Sequence, residues 1–71
     1  MNNKYKLLDV VALLIDIPEK KLVQGQVGTI VEILDTGVFE IEFCNNKGNT
    51  IASISVKEKD LLLLFYEFEA A

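Results

Sequence analysis

The sequence contains no histidine, no arginine and a single cysteine, Cys44. One cysteine excludes an internal disulfide, and without histidine no Cys/His cluster can hold zinc, so neither metal nor cofactor is expected. A reducing cytoplasm is the expected compartment. In "EFCNNK" only Lys47 lies near Cys44, which reads as a small strand-end hydrophobe with no assigned chemistry. The missing arginines remove the bidentate and stacking contacts that phosphate recognition uses, and seven lysines face eleven acids for a net charge of −4. A nucleic-acid partner is therefore not expected. Long apolar runs are also absent: nothing approaches the ~18 residues of a membrane span. The start, "MNNKYKLLDVVALL", carries Asp9 inside its apolar stretch, which argues against a signal peptide or membrane anchor.

What is present is a short, apolar chain. Its 71 residues, 51% of them hydrophobic, predict one domain over 1–71 with a small, efficiently filled core. Charge is uneven: residues 1–24 carry four lysines against three acids, and 25–71 carry three lysines against eight acids.

Patterning predicts strands and turns. "LDVVALLID" (Leu8 to Asp16) reads as a first strand with Val11 and Leu13 on one face, ended by Ile17-Pro18. "IPEKKLVQ" is then a surface loop that Leu22 tucks onto the core. After Gly28, "TIVEILD" is a second strand. Its Ile30 and Ile33 are three apart, which predicts a bulge or strong twist between them. Asp35-Thr36-Gly37 fits a three-residue hairpin loop with Gly37 left-handed. "VFEIEFC" has a clean period of two, with Phe39, Ile41 and Phe43 inward and Glu40 and Glu42 outward.

A second turn is expected over Asn45 to Asn49, then a fourth strand with Ala52, Ile54 and Val56 on one face. "KEKD" is a single helical turn or a tight bend. "LLLLFYEF" closes the chain as a fifth strand, although short apolar runs leave strand and helix both open. Five short strands separated by turn signals, with a long first loop, predict an all-β, SH3-like barrel. Its core is Val11, Leu13, Ile30, Ile33, Phe39, Ile41, Phe43 and Ile54.

Two resemblances attach to these residues. "GQVGTIVEIL" (Gly25 to Leu34) resembles the KOW motif of ribosomal proteins and NusG-type transcription factors, in which a glycine turn leads into a strand of an SH3-like barrel. "LDVVALLIDIPEKKL", "GQVGTIVEI", "FEIEF", Ala52 and Asp60-Leu61 resemble a family of short bacterial proteins known only as a domain of unknown function. That resemblance spans nearly the whole chain and implies an SH3-like barrel, but it brings no activity and no site residues.

Three features compete as sites. Gly25 and Gly28 form a G-x-x-G, a spacing that can clamp a nucleic-acid backbone. Gln26-Val27 between them is uncharged and no helix pattern follows, so the glycines read mainly as a bend. Lys20, Lys21 and Lys47 are the candidate cations for a KOW-like RNA- or ribosome-associated module, the alternative function. Glu40 and Glu42, on one strand face, are the only acid–base pair in view. Outward charges opposite a Phe-Ile-Phe face read as solvated surface, so no catalytic residues are expected.

The third feature is the apolar end. An extended strand there would carry Leu62, Leu64, Tyr66 and Phe68 on one face and Leu61, Leu63 and Phe65 on the other. A five-stranded barrel buries only one such face, so Leu62, Leu64, Phe65, Tyr66 and Phe68 are the protein-interface candidates. The expected function is a non-enzymatic protein-binding module that self-associates or holds a partner, in the manner of an inhibitor or antitoxin-like protein on a basic target.

Overall fold

The computed structural model describes residues 4–64 and is all-β. Five strands, β1 (Val10–Leu13), β2 (Val27–Asp35), β3 (Val38–Cys44), β4 (Thr50–Lys57) and β5 (Leu61–Leu63), form one antiparallel sheet in the order β4-β3-β2-β1-β5. The expected small barrel-like fold is present, but its sheet is open. Strands β4 and β5 are the two ends of the order and do not pair with each other. Phe65, Tyr66 and Phe68, expected to extend the last strand, lie outside the described residues.

The core occupies the concave side. Val11, Leu13, Leu22, Ile30, Phe39, Ile41 and Phe43 are fully buried, with Val56 and Leu61 close behind. Ile54 and Ala52 are half-buried against this cluster. The period of two in β3 does what it predicts: Phe39, Ile41 and Phe43 enter the core while Glu40 and Glu42 face outward. Leu22 tucks the long loop inward through a two-bond bridge with Ile17, whose N–H donates to the Leu22 carbonyl at 2.9 Å and whose carbonyl accepts from Leu22 at 3.1 Å.

Several expectations change. The first strand is Val10–Leu13, not Leu8 to Asp16, because Lys6–Asp9 makes a tight turn that puts Leu8 at φ 72°. The strand already ends at Leu13, so Pro18 does not end it; Pro18 instead starts a 3-10 turn, Pro18–Lys20, inside the loop. Strand β2 starts at Val27, so Gly28 lies within it rather than before it. The loop between β2 and β3 has two residues, Thr36-Gly37, because Asp35 still pairs with Val38; Gly37 is left-handed as expected. "KEKD" resolves as a 3-10 turn, Glu58–Asp60.

Ile33 is the core residue that moves. The predicted bulge exists, between Ile30 and Glu32, and a second register shift follows between Ile33 and Asp35. Ile33 pairs with Phe39 yet is 43% exposed. The backbone contact of β2 with the N-terminal segment ends at Ile30, which bonds to Leu8 and Asp9. Past that point β3 is the only strand beside β2 among the described residues, so nothing covers Ile33.

The space between β5 and β3 is filled by Tyr5, which the sequence did not single out. It is 4% exposed, its ring lies 5.4 Å from that of Phe39, and its hydroxyl donates to the Leu61 carbonyl at 3.3 Å. No helix among the described residues is long and apolar enough to cross a membrane.

Candidate functional site

The strand registers place an apolar row on the convex side of the sheet. Ala12 pairs with Val27 on one side and with Leu62 on the other, so Val27, Ala12 and Leu62 stand side by side across β2, β1 and β5. Ala12 follows Val11 and precedes Leu13, both core residues, and strand alternation therefore turns this row outward. Val27 is 49% exposed and Leu62 50%, while Ala12, shielded between them, is 8% exposed. Leu64 donates its N–H to the Val10 carbonyl at 3.0 Å, which extends the same face by one half-buried pair. Leu62 and Leu64 thus fall on one outward face as expected, whereas Leu61 and Leu63 turn inward opposite Leu13 and Val11.

Toward β3 and β4 the outward side carries Val38 and an acidic stripe. Glu32 pairs with Glu40, and Glu40 and Glu42 pair with Ser55 and Ser53. The Ser53 hydroxyl donates to Glu40 Oε2 at 2.8 Å and the Thr50 hydroxyl to Glu42 Oε2 at 3.0 Å. Each carboxylate is engaged diagonally by a hydroxyl of β4, and the acidic stripe borders the apolar row.

The lysines of the RNA reading are not brought together. Lys20 ends the Pro18–Lys20 turn and Lys21 caps it in the left-handed conformation, φ 59°. Lys47 sits in the Asn45–Asn49 turn ahead of Thr50, where its N–H is held by the Asn45 side chain at 2.9 Å. Lys20 instead joins Lys57 and Lys59, at the opposite end of β4, around a groove of about 510 Å³. The G-x-x-G is likewise no cradle. Gly25 turns the chain at φ 92° with open space around it, whereas Gly28 packs under β3, where an added Cβ would meet Ile41 Cγ2 at 2.6 Å and the Glu42 carbonyl at 2.9 Å.

The groove was not legible in the sequence. It runs between the end of β4 (Ile54–Lys57) and the segment Ile15–Lys20 that leaves β1. This is the seam where the sheet stays open. Among the described residues, no group of three or more Cys, Asp or Glu gathers as metal ligands.

A family model for a domain of unknown function, DUF4926, matches residues 7–63. The chain belongs to the DUF4926 family. No curated protein and no solved structure matches it. The DUF4926 segment takes in all five strands, the convex row up to Leu62 and both walls of the groove, but begins after Tyr5. The family description assigns the domain no activity.

Proposed function

We propose that this DUF4926 chain is a non-enzymatic protein-binding module whose convex β2-β1-β5 face is the contact surface, for a second copy or for a partner protein. The observation that carries the reading is the row Val27–Ala12–Leu62. Two large side chains, each about half exposed, flank a flush alanine across three paired strands. Completing the burial of such side chains in an interface is worth about 1 kcal/mol each, and contiguous apolar surface of this kind marks contact sites. The acidic stripe of Glu32, Glu40 and Glu42 beside the row, with the overall charge of −4, favours a basic partner and disfavours acidic ones. A basic target held by an inhibitor or antitoxin-like protein fits that polarity.

Light scattering coupled to size exclusion, over a hundredfold range of concentration, tests the self-association arm on the full chain and on Leu62→Lys. A mass that rises with concentration and falls back to one chain in Leu62→Lys supports pairing through this face. The partner arm is tested by affinity capture from the native cell with both chains. A basic protein retained by the unsubstituted chain and lost from Leu62→Lys supports it. A monomer in both cases, together with captured proteins that do not differ between the two chains, would overturn the reading.

A further inference from the structure

The two bulges of β2 put a second apolar patch on the convex side. Each bulge sets two residues against one of β3, so Val31 and Glu32 together oppose Glu40, and Leu34 and Asp35 together oppose Val38. Glu40 and Val38 face outward from the Phe39–Ile41–Phe43 side of β3, and beside them Val31 is 40% exposed and Leu34 46%. The patch also has an open flank. Strand β1 pairs with β2 as far as Val10–Thr29, and the N-terminal segment bonds to Ile30 and then turns at Lys6–Asp9. Past Ile30 no described strand stands on that side of β2.

The registers determine which part of the chain reaches this flank. Strands β5 and β2 are both antiparallel to β1 and so run in the same direction; Ala12 sets Leu62 level with Val27, and Val10 sets Leu64 level with Thr29. The next two outward positions of β2 are the two bulges. A bulge adds a residue without adding a position, so two further steps of alternation from Leu64 bring Tyr66 level with Val31–Glu32 and Phe68 level with Leu34–Asp35. We infer that residues 65–68, beyond the described part of the chain, continue the line of β5 and lay Tyr66 and Phe68 across the vacated strand position onto Val31 and Leu34. That position is one strand spacing wide, about 5 Å, a gap that an aromatic ring fills. Connectivity selects this occupant over a separate molecule, because a tethered segment faces its site at a roughly millimolar effective concentration. Charge does not oppose it. Glu32 and Asp35 border the patch, but Tyr66 and Phe68 are uncharged, and Glu67 and Glu69 alternate to the concave side. The inference goes beyond the partner surface proposed above, since it assigns these two aromatic residues to the chain's own sheet.

The test is nuclear magnetic resonance on the full chain with labelled valine and leucine methyls. Through-space contacts are expected from the Val31 and Leu34 methyls to the Tyr66 and Phe68 rings within one chain, with both sets of methyls shifted upfield by the rings. In Tyr66→Ser/Phe68→Ser the upfield shifts should be lost and the urea midpoint should fall, whereas Glu67→Ser should leave the shifts unchanged. The contacts in the unsubstituted chain carry the test if the double variant does not fold. Methyl shifts that are the same in the unsubstituted chain and the double variant would overturn the proposal. So would contacts seen only between differently labelled copies, which would make the segment of a second chain the occupant. Leu62→Lys should leave the contacts intact, so a failure here is distinguishable from a failure of the partner surface.

Discussion

The Tyr5 hydroxyl donates to the Leu61 carbonyl at 3.3 Å while its ring packs on Phe39, so one side chain ties the first described residues to β5 and β3. Replacing Tyr5 with phenylalanine should cost about 1 kcal/mol in urea unfolding, the usual net worth of a buried hydrogen bond. Tyr5→Ala should cost about 3 kcal/mol or more, because the ring volume is lost as well.

The same residue gives a pH signature. Burial, and secondarily the nearby Glu58 charge, raise the Tyr5 pKa above its ordinary 10.0. Above pH 10 the unfolded chain then releases this proton more readily than the folded one, so stability falls with rising pH. The contribution is complete below pH 10 and is lost as the pH climbs through the raised folded value. The stability advantage of the unsubstituted chain over Tyr5→Phe should accordingly be constant from pH 7 to 9 and narrow beyond 10. A gap that widens there would contradict this account.

The two glycines of the G-x-x-G should respond differently to alanine. At Gly28 a Cβ runs into Ile41, Phe43 and the Glu42 carbonyl, and the carbonyl cannot move without breaking register; a loss of about 2–3 kcal/mol is expected. At Gly25 the space is open and only the positive φ opposes the change, for about 1 kcal/mol. Thermal unfolding of both variants reads the difference, and equal losses would mean the close approach at Gly28 is not what holds the strands.

Leu8 is a bulky residue at φ 72° and 74% exposed, so it bears backbone strain without repaying it in burial. Leu8→Gly should raise stability by about 0.5 kcal/mol, the relief of strain being partly offset by the freer unfolded chain. Leu8→Asn should do at least as well, since asparagine tolerates this conformation. Unfolding midpoints that fall in both variants would show that Leu8 makes contacts its exposure does not suggest.

Ile30 and Ile33 lie three residues apart on β2 but have different surroundings. Ile30→Ala should lose about 3 kcal/mol from the core, whereas Ile33→Ala should lose under about 1 kcal/mol. A chemical-denaturation series on the two variants checks the effect of the bulge directly.

Local sequence determined much of this protein. The strict alternation of "VFEIEF" made β3 unambiguous, since a period of two admits one inward face. The Gly37 and Gly48 turns followed from residues that tolerate positive φ. The three-residue interval from Ile30 to Ile33 announced the bulge, because no regular strand puts both on one side. Even Leu62 and Leu64 were legible as an outward pair, since adjacent leucines in a strand cannot all face one core.

Other features depended on partners distant in the chain. Whether Ile33 is covered depends on where the N-terminal segment leaves β2, and the role of Tyr5 depends on Phe39 and Leu61, 34 and 56 positions away. Nothing in "NNKYK" encodes that. The apolar row exists only because β1 brings Val27 and Leu62 to either side of Ala12, and the groove only because β4 and β5 fail to meet. Patterning sets which way a side chain faces, since that is a property of the local backbone; what it faces is set by strand order and register, which long-range pairing alone decides.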